Sequence, residues 1–221
     1  MINQSNSISR RWWILSPSLG IGLFGLLYVV AACQYPSGSN ANHTAIGFDW
    51  QHNYWCDLLG AVAKNGLPNQ ARPFARGGML VLGVSLSVFW WLVPRLYQSP
   101  NYYVRVIRWA GAVAMVILFY IDTPYHDLAI NLAGGLALLS VGTTFVGLYW
   151  QRKRALLNYG LVCMALIAFN NYVYYTHHWL TCLPVLQKVS FIVVLGWFVA
   201  VNWTLYQQPS PGPTDTIGNT S

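Results

Sequence analysis

Residues 12–33 read WWILSPSLGIGLFGLLYVVAAC and contain no charged side chain. A helix needs about 20 apolar residues to cross the hydrocarbon core of a bilayer, so this stretch is long enough to span a membrane. Five further apolar stretches of similar length follow, at residues 77–96, 104–121, 128–150, 155–175 and 184–206. They lack the alternation of strands, and in lipid every backbone group must bond within its own segment. The sequence therefore predicts an all-α, polytopic bundle of six transmembrane helices.

The composition indicates the same fold class. Of 221 residues, 55% are hydrophobic and 8% are charged, and the mean hydropathy is +0.41. Such a chain has too few polar side chains to cover a soluble globule, so most of its surface must face lipid. The net charge of +7 comes from short Arg and Lys clusters between apolar stretches, which is a topology signal and not a nucleic-acid-binding surface. We expect one membrane domain over residues 1–206, with membrane lipids as partners and no nucleic acid.

The positions of the cations predict the orientation, because Arg and Lys are enriched on the cytoplasmic side of a membrane. One side of the predicted bundle carries eight cations and the other carries four: Arg10, Arg11, Arg95, Arg105, Arg108, Arg152, Lys153 and Arg154 against Lys64, Arg72, Arg76 and Lys188. We therefore expect an inner (plasma) membrane protein with both termini in the cytoplasm. Residues 34–76 become an extracytoplasmic segment, and the polar residues 207–221 a disordered cytoplasmic tail.

In this topology all five histidines and four of the five carboxylates lie on the outer side. The first group belongs to residues 48–59, which we expect to form a short amphipathic helix lying in the membrane interface. Its apolar face carries Trp50, Tyr54, Leu58 and Ala61, and its polar face carries Asp49, His52, Asn53, Cys56 and Asp57. The polar face either turns to the mouth of the bundle or simply meets water.

The second group is the turn DTPYHD at residues 122–127, between the third and fourth spans. Thr123 suits the cap of the fourth helix, Pro124 its first position, and Asp127 its positive end. Asp122 and His126 are not explained by capping. A carboxylate beside an imidazole orients its tautomer and raises its basicity, so we predict Asp122 and His126 as a catalytic pair.

The third group lies at the outer end of the fifth span, where Asn170, Tyr174, His177 and His178 follow at helical spacing. A polar stripe in a membrane helix is expected to face the bundle. Alternatively, the asparagine joins helices and the histidines lie among lipid headgroups. If the three groups converge, the imidazoles of His52, His126, His177 and His178 are candidate zinc ligands, and Asp57, Asn170 and Tyr174 are candidate ligand-binding residues. Metal-free acid–base chemistry or headgroup binding would use the same groups.

The segments YWCDLLG at 54–60 and DTPYHD at 122–127 resemble motifs of a bacterial six-helix membrane family described as domain of unknown function 998. In that family an S-D-L-G-like segment follows the first span, and a D-x-P element with a following His opens the fourth. The resemblance covers residues 16–206 and implies the six-helix fold, but the family has no established activity to transfer. Cys56 stands where the family often has Ser, and an extra Leu precedes Gly60.

A more distant likeness connects the chain with membrane hydrolases of the alkaline-ceramidase type, in which Ser, Asp and three His surround zinc. The chain differs from that type in having six predicted spans instead of seven, and His177-His178 in place of a terminal HxxxH. No HExxH, GxSxG, Walker or GxGxxG pattern is present. The leading hypothesis is a membrane protein whose outward-facing Asp/His cluster binds a metal or a polar lipid headgroup, with lipid hydrolysis as its catalytic version. The alternative is a non-catalytic scaffold or lipid-binding protein.

Three of the four cysteines, Cys33, Cys56 and Cys182, fall on the predicted outer side. An oxidising compartment permits a disulfide there, and Cys56 with either of the other two is the expected pair if one forms. Cys163 lies in the middle of the fifth span and is expected to be inert.

Overall fold

The computed structural model describes residues 12–96, 101–120 and 123–208. Within these ranges the chain forms six α-helices and no strand: α1 (Ser16–Cys33), α2 (Arg72–Leu92), α3 (Asn101–Ile117), α4 (His126–Trp150), α5 (Arg154–Thr176) and α6 (Leu183–Gln207). Together with adjoining 3-10 turns, six segments are long and apolar enough to cross a membrane: Trp13–Cys33, Arg72–Leu96, Tyr102–Tyr120, Asp127–Trp150, Arg154–Thr176 and Leu180–Gln207. The predicted all-α transmembrane bundle is confirmed. Arg10, Arg11 and residues 209–221 of the predicted tail lie outside the described residues.

The second helix begins at Arg72, five residues before the predicted start of its span at 77. Asn69 sets this beginning, because its side-chain Oδ1 accepts the N–H of Ala71 at 3.0 Å. Its Nδ2 donates to the carbonyl of Gly60 at 2.9 Å, which holds the helix start against the preceding loop. A proline in the first turn fits, because the first N–H groups of a helix have no intrahelical partner. Hydropathy alone missed this polar first turn.

Neighbouring helices pack in antiparallel pairs. The most extensive pairs are α1 with α2 and α3 with α4, followed by α2 with α3 and α5 with α6, while α6 also packs on α1. The approach of α1 to α2 depends on glycine, since a Cβ at Gly20 would lie 1.8 Å from Ser85 Oγ. Small residues allow such close backbone approach between membrane helices, where dispersion contacts replace the hydrophobic effect.

The centre of the bundle is an aromatic cluster between α2 and α6. The ring of Phe89 lies edge-on to Phe198 at 4.8 Å, and Trp90 meets Phe198 at 5.6 Å. In α2, 56% of the membrane-spanning window is buried, compared with 17% in α5. The helix α2 is therefore an inner element, and α5 exposes most of its surface, as expected of a helix that faces lipid.

Residues 34–71, here called the cap segment, connect α1 to α2 in a mostly irregular path over one end of the bundle. Two isolated β-bridges, Ser37 with Ile46 and Val62 with Pro68, tie the cap segment to itself. The side chain of Gln187 on α6 accepts the N–H of Trp55 at 3.1 Å and so fastens the cap segment to the bundle. We call this end of the bundle, which also carries the α3–α4 and α5–α6 connections, the cap side.

The amphipathic helix predicted for residues 48–59 is shorter than expected. The region contains a turn at 49–53 and a separate 3-10 helix at Trp55–Leu59, with extended backbone at Tyr54 (φ −78°, ψ 156°) between them. Asn53 Oδ1 accepts the N–H of Asp49, and Asp57 Oδ2 accepts the N–H of Tyr54. Side chains that bond nearby backbone groups in this way compete with helix formation. Trp50 and Leu58, expected on one face, therefore differ: Trp50 is 53% exposed and Leu58 is 2% exposed.

All four cysteines are free thiols, so the disulfide that an oxidising compartment would permit is not formed. Cys33, Cys56 and Cys182 are exposed, and Cys163 is buried against α6, where its Sγ lies 3.7 Å from the carbonyl oxygen of Val193.

Candidate functional site on the cap side

The six helices alternate in direction, so the three predicted groups of polar residues share the cap side. Asp122 lies outside the described residues. His126 is the first residue of α4, and its backbone alone is described. Thr123 does not cap α4 as expected: its Oγ1 accepts the N–H of Tyr125 and donates to the carbonyl of Tyr120, which closes a turn before the helix. The predicted catalytic pair therefore stays a prediction.

A carboxylate–imidazole pair is present in the cap segment. Asp49 Oδ2 lies 2.8 Å from His52 Nδ1, and Asp49 Oδ1 accepts the N–H groups of Gln51 and His52. Partial burial raises the pKa of Asp49, but the hydrogen bonds from the His52 ring and from the two N–H groups outweigh it, so the net shift is downward. Because Nδ1 faces the ionised carboxylate, the uncharged form of the His52 ring carries its proton on Nδ1, and Nε2 is then the nitrogen that can accept a proton or a hydrogen bond.

The surroundings of this pair are apolar and accessible. The His52 side chain is 35% exposed and the Asp49 side chain 23%. The same segment exposes large apolar side chains, with Trp50 at 53% and Ile46 at 97%. Exposed aromatic and aliphatic side chains beside a polar pair are typical of a surface that meets the headgroup region of a membrane.

Asp57, a predicted ligand-binding residue, has its oxygens engaged by the cap segment itself. Its Oδ2 accepts the N–H of Tyr54 at 2.8 Å and Asn53 Nδ2 at 3.2 Å, and its Oδ1 lies 3.4 Å from Lys64 Nζ. These contacts form a capping arrangement at the start of the 3-10 helix Trp55–Leu59. The geometry gives Asp57 a structural role in the cap segment, and its role in ligand binding stays a prediction.

Lys188 is the residue that the sequence analysis missed. It lies on α6 and is 7% exposed, with Nζ donating to the carbonyls of Asn53 and of Pro184, the latter at 3.0 Å. The ring of Phe48 lies 5.6 Å from the same ammonium group. Lys188 is the only charged residue of the predicted span 184–206. An ionisable residue inside a span is a signal of function or of internal pairing in itself, which a count of charges on each side of the membrane does not reveal.

The outer end of α5 divides into a buried and an exposed part. Asn170 Nδ2 donates to Ser190 Oγ on α6 and to the carbonyl of Leu166, so it joins two helices, as the alternative interpretation proposed. Tyr174 is 51% exposed and packs edge-on against Tyr175 at 5.2 Å. Tyr174 also lies near Tyr54 of the cap segment. Burial is the main cause that raises the pKa of Tyr54, and the neighbouring Cys56, Asp57 and Tyr174 raise it further.

His177 and His178 are exposed in the connection between α5 and α6. His177 and Trp179 both have a left-handed backbone conformation (φ 58°), which side chains other than glycine rarely adopt. Among the described side chains, no three His, Cys, Asp or Glu residues gather closely enough to hold a metal ion. His52, His177 and His178 therefore form no zinc site by themselves. A site that includes the side chain of His126 or Asp122 stays a prediction.

Comparison with known proteins gives no assignment, since no protein-family model, no curated protein and no solved structure matches this chain.

Proposed function

We propose that this integral membrane protein binds the polar headgroup of a membrane lipid at its cap side, with the imidazole of His52 contacting the headgroup. The observation that carries the proposal is the Asp49/His52 hydrogen bond of 2.8 Å in a segment that exposes Ile46 and Trp50. The pair offers an oriented polar group, and the apolar side chains offer contact with the lipid beneath the headgroup. His177 and His178, which are also exposed on the cap side, extend the polar surface.

The catalytic version of this proposal is lipid hydrolysis. An imidazole whose Nδ1 is bonded to a carboxylate can accept a proton at Nε2 from a water molecule that attacks an ester or phosphate ester. The bond to the leaving alcohol then breaks, and the proton returns to that alcohol. The non-catalytic alternative keeps the same headgroup contact without bond cleavage. The fold is compatible with both.

The test compares His52 with a second histidine of the cap segment. His43 Nδ1 lies 2.9 Å from the backbone carbonyl of Lys64 and has no carboxylate partner within the described ranges, which makes His43→Ala a matched control for His52→Ala. Purified protein is titrated with dioctanoylphosphatidylglycerol, dioctanoylphosphatidylethanolamine and dioctanoylglycerol, which lacks a phosphate headgroup. We expect at least one phospholipid to bind more tightly than dioctanoylglycerol. In His52→Ala the ratio of the two affinities should be about fivefold to tenfold smaller. An equal preference in all three proteins would refute the role of His52.

The same samples test hydrolysis and metal binding. Mass spectrometry detects released octanoate or dioctanoylglycerol, and a general-base role predicts a loss of about 100-fold or more in the His52→Ala variant. Elemental mass spectrometry measures zinc, which should be near-stoichiometric if the histidines form a metal centre. If the lipid stays intact in every sample, the proposed hydrolysis is refuted and the proposed headgroup binding is not.

We also propose the plasma membrane as the location and the cap side as the extracytoplasmic side. The side opposite the cap carries Arg95, Arg108 and Arg154, whose guanidinium groups lie 4.8–5.5 Å from the rings of Trp13, Trp91 and Tyr149. Interfacial aromatic residues with adjacent cations are typical of a membrane boundary, and the excess of cations favours the cytoplasm. On the cap side Lys188 is buried and Lys64 pairs with Asp57, which leaves fewer free cations there.

A further inference from the structure

The contact between α4 and α5 is the smallest of any two helices that follow one another in the chain. Phe145 of α4 packs where α5 has Gly160, so closely that a Cβ at Gly160 would lie 2.5 Å from the Phe145 ring. Phe145 also contacts Trp197 of α6 at 5.9 Å. Both contacts lie in the half of the membrane away from the cap side, close to the short connection between Trp150 and Arg154.

Towards the cap side the facing stripes of the two helices become exposed. On α4 the stripe that contains Phe145 continues, at steps of three and four residues, through Val141, Leu138, Gly134 and Asn131. Val141 is half-buried, Leu138 is 55% exposed, and Gly134 and Asn131 are exposed. A Cβ at Gly134 would meet no atom within 4 Å. The inner side of α4 is thus covered near Phe145 and open above it.

The matching stripe on α5 behaves in the same way. From Gly160 it runs through Met164 and Ile167 to Asn171. Gly160 is buried, Met164 is half-buried, Ile167 is 37% exposed and Asn171 is exposed. The two stripes therefore bound a wedge, the α4–α5 cleft, which widens towards the cap side and is apolar for most of its depth.

Two amides face this cleft at the same depth. Asn131 lies five residues after the start of α4, and Asn171 lies five residues before the end of α5. At 1.5 Å per residue each is about 8 Å from its helix end. Neither amide has a hydrogen-bond partner among the described residues, whereas the adjacent Asn170 bonds to α6. An amide that faces hydrocarbon without a partner is destabilising, so a pair of such amides favours an acceptor in the lipid itself.

The depth identifies the acceptor. With 25 and 23 residues, α4 and α5 are about 38 Å and 35 Å long, a few ångströms longer at each end than a hydrocarbon core of about 30 Å. A group about 8 Å from the helix end then lies about 4–5 Å inside the outer edge of the hydrocarbon, where water does not reach it and the nearest acceptors are the glycerol esters of a lipid just above it. Ester carbonyls accept hydrogen bonds from amide N–H groups, and acyl chains fit an apolar wedge.

We infer that the α4–α5 cleft binds one diacyl glycerolipid, whose ester carbonyls accept hydrogen bonds from Asn131 and Asn171 and whose headgroup projects to the cap side. This inference rests on the proposed function for the identity of the occupant as a lipid. It adds the class of lipid and a second set of contacts that do not involve His52.

The test uses dioctanoylphosphatidylglycerol and its ether-linked analogue, which has the same headgroup and chains but no ester carbonyls. We expect Asn131→Leu and Asn171→Leu each to weaken binding of the ester lipid about fivefold, and the double variant about 25-fold. The ether analogue should bind wild-type protein about as weakly as the ester lipid binds the double variant. Asn158→Leu is the matched control, because Asn158 is an exposed amide in the first turn of the same helix, α5.

Leu138→Trp keeps both amides and fills the cleft below them, so it should exclude the lipid even if the double variant folds poorly. Unchanged binding of the ester lipid in the double variant and in Leu138→Trp overturns the inference. A double variant that changes from oligomer to monomer but keeps its lipid affinity also overturns it, because the amides would then contact a second copy of the chain. His52→Ala separates the two proposals. If His52→Ala loses the headgroup preference but still binds the ester lipid more tightly than the ether analogue, both the role of His52 and the α4–α5 cleft are supported. If His52→Ala keeps both the headgroup preference and the preference for the ester lipid over the ether analogue, only the role of His52 is refuted.

Discussion

The substitution Lys188→Met should release the cap segment from the bundle while leaving the six helices in place. Methionine has nearly the length of lysine and fills the same space, but it cannot donate to the carbonyl of Asn53. The carbonyl of Pro184 keeps its helical partner, the N–H of residue 188. The only carbonyl left without a donor is therefore that of Asn53, the residue that joins the turn at 49–53 to α6.

The size of the effect is the cost of the lost hydrogen bond minus the gain from no longer burying a charge. A hydrogen bond to a charged donor contributes about 1.5–3 kcal/mol, and a buried carbonyl left without a partner costs about 1–3 kcal/mol. Removing the ammonium from its buried position offsets part of this cost, because a buried charge loses its hydration. We expect a net loss of about 2 kcal/mol, which raises the equilibrium constant for opening of the cap segment about 30-fold.

Hydrogen exchange of peptides covering residues 38–53 measures this opening. Two protected amides report on it, the N–H of Gly38, bonded to the carbonyl of Ala45 at 2.7 Å, and the N–H of Asn53, bonded to Asp49 at 2.8 Å. Lys64→Met is the control, because Asp57 then keeps the N–H of Tyr54 and the amide of Asn53 as donors, and the contact of the cap segment with Lys188 of α6 is left intact. Equal exchange rates in Lys188→Met and Lys64→Met would refute the role given to Lys188.

Two further predictions concern topology and the predicted catalytic pair. A membrane-impermeant maleimide added to intact cells should label the three exposed cysteines Cys33, Cys56 and Cys182 but not the buried Cys163. The mass of the alkylated protein should be the same with and without reductant. Labelling only after permeabilisation of the cells would reverse the proposed orientation. Asp122→Asn and His126→Ala should abolish metal or ligand binding with nearly unchanged folded yield, whereas His43→Ala should have no effect; equal and negligible effects of all three would exclude Asp122 and His126 from the site.

The helices could be predicted from the sequence because the membrane imposes simple rules on them. A stretch such as residues 12–33 must be helical in lipid whatever its neighbours are, since no water is present to satisfy its backbone. The start of α2 was missed because Asn69 and the polar first turn of Arg72–Leu92 lie at the boundary, where hydropathy carries no information. Spans were predictable, and helix ends that depend on side-chain hydrogen bonds were not.

The cap segment was harder to predict for a related reason. Helical spacing places Asp49, His52, Asn53, Cys56 and Asp57 on one polar face of a helix, which would turn either to the mouth of the bundle or to water. In the fold each of the Asp, Asn and His side chains of this group bonds a backbone or side-chain group within four residues. Asn and Asp side chains make such local bonds readily, and the resulting turns are not visible in a periodicity of 3.6 residues.

Partners, and not residue types, separate functional from structural polar groups in this bundle. Asn170 and Asn171 are neighbours of the same type, but one amide bonds to Ser190 and the other faces the α4–α5 cleft. His43 and His52 share the cap segment, but a backbone carbonyl holds one and a carboxylate holds the other. Polar groups at a membrane boundary that have acceptors or donors left over must find them in water or in lipid. Under the two proposals above, that condition selects His52, Asn131 and Asn171 as the side chains that contact the lipid.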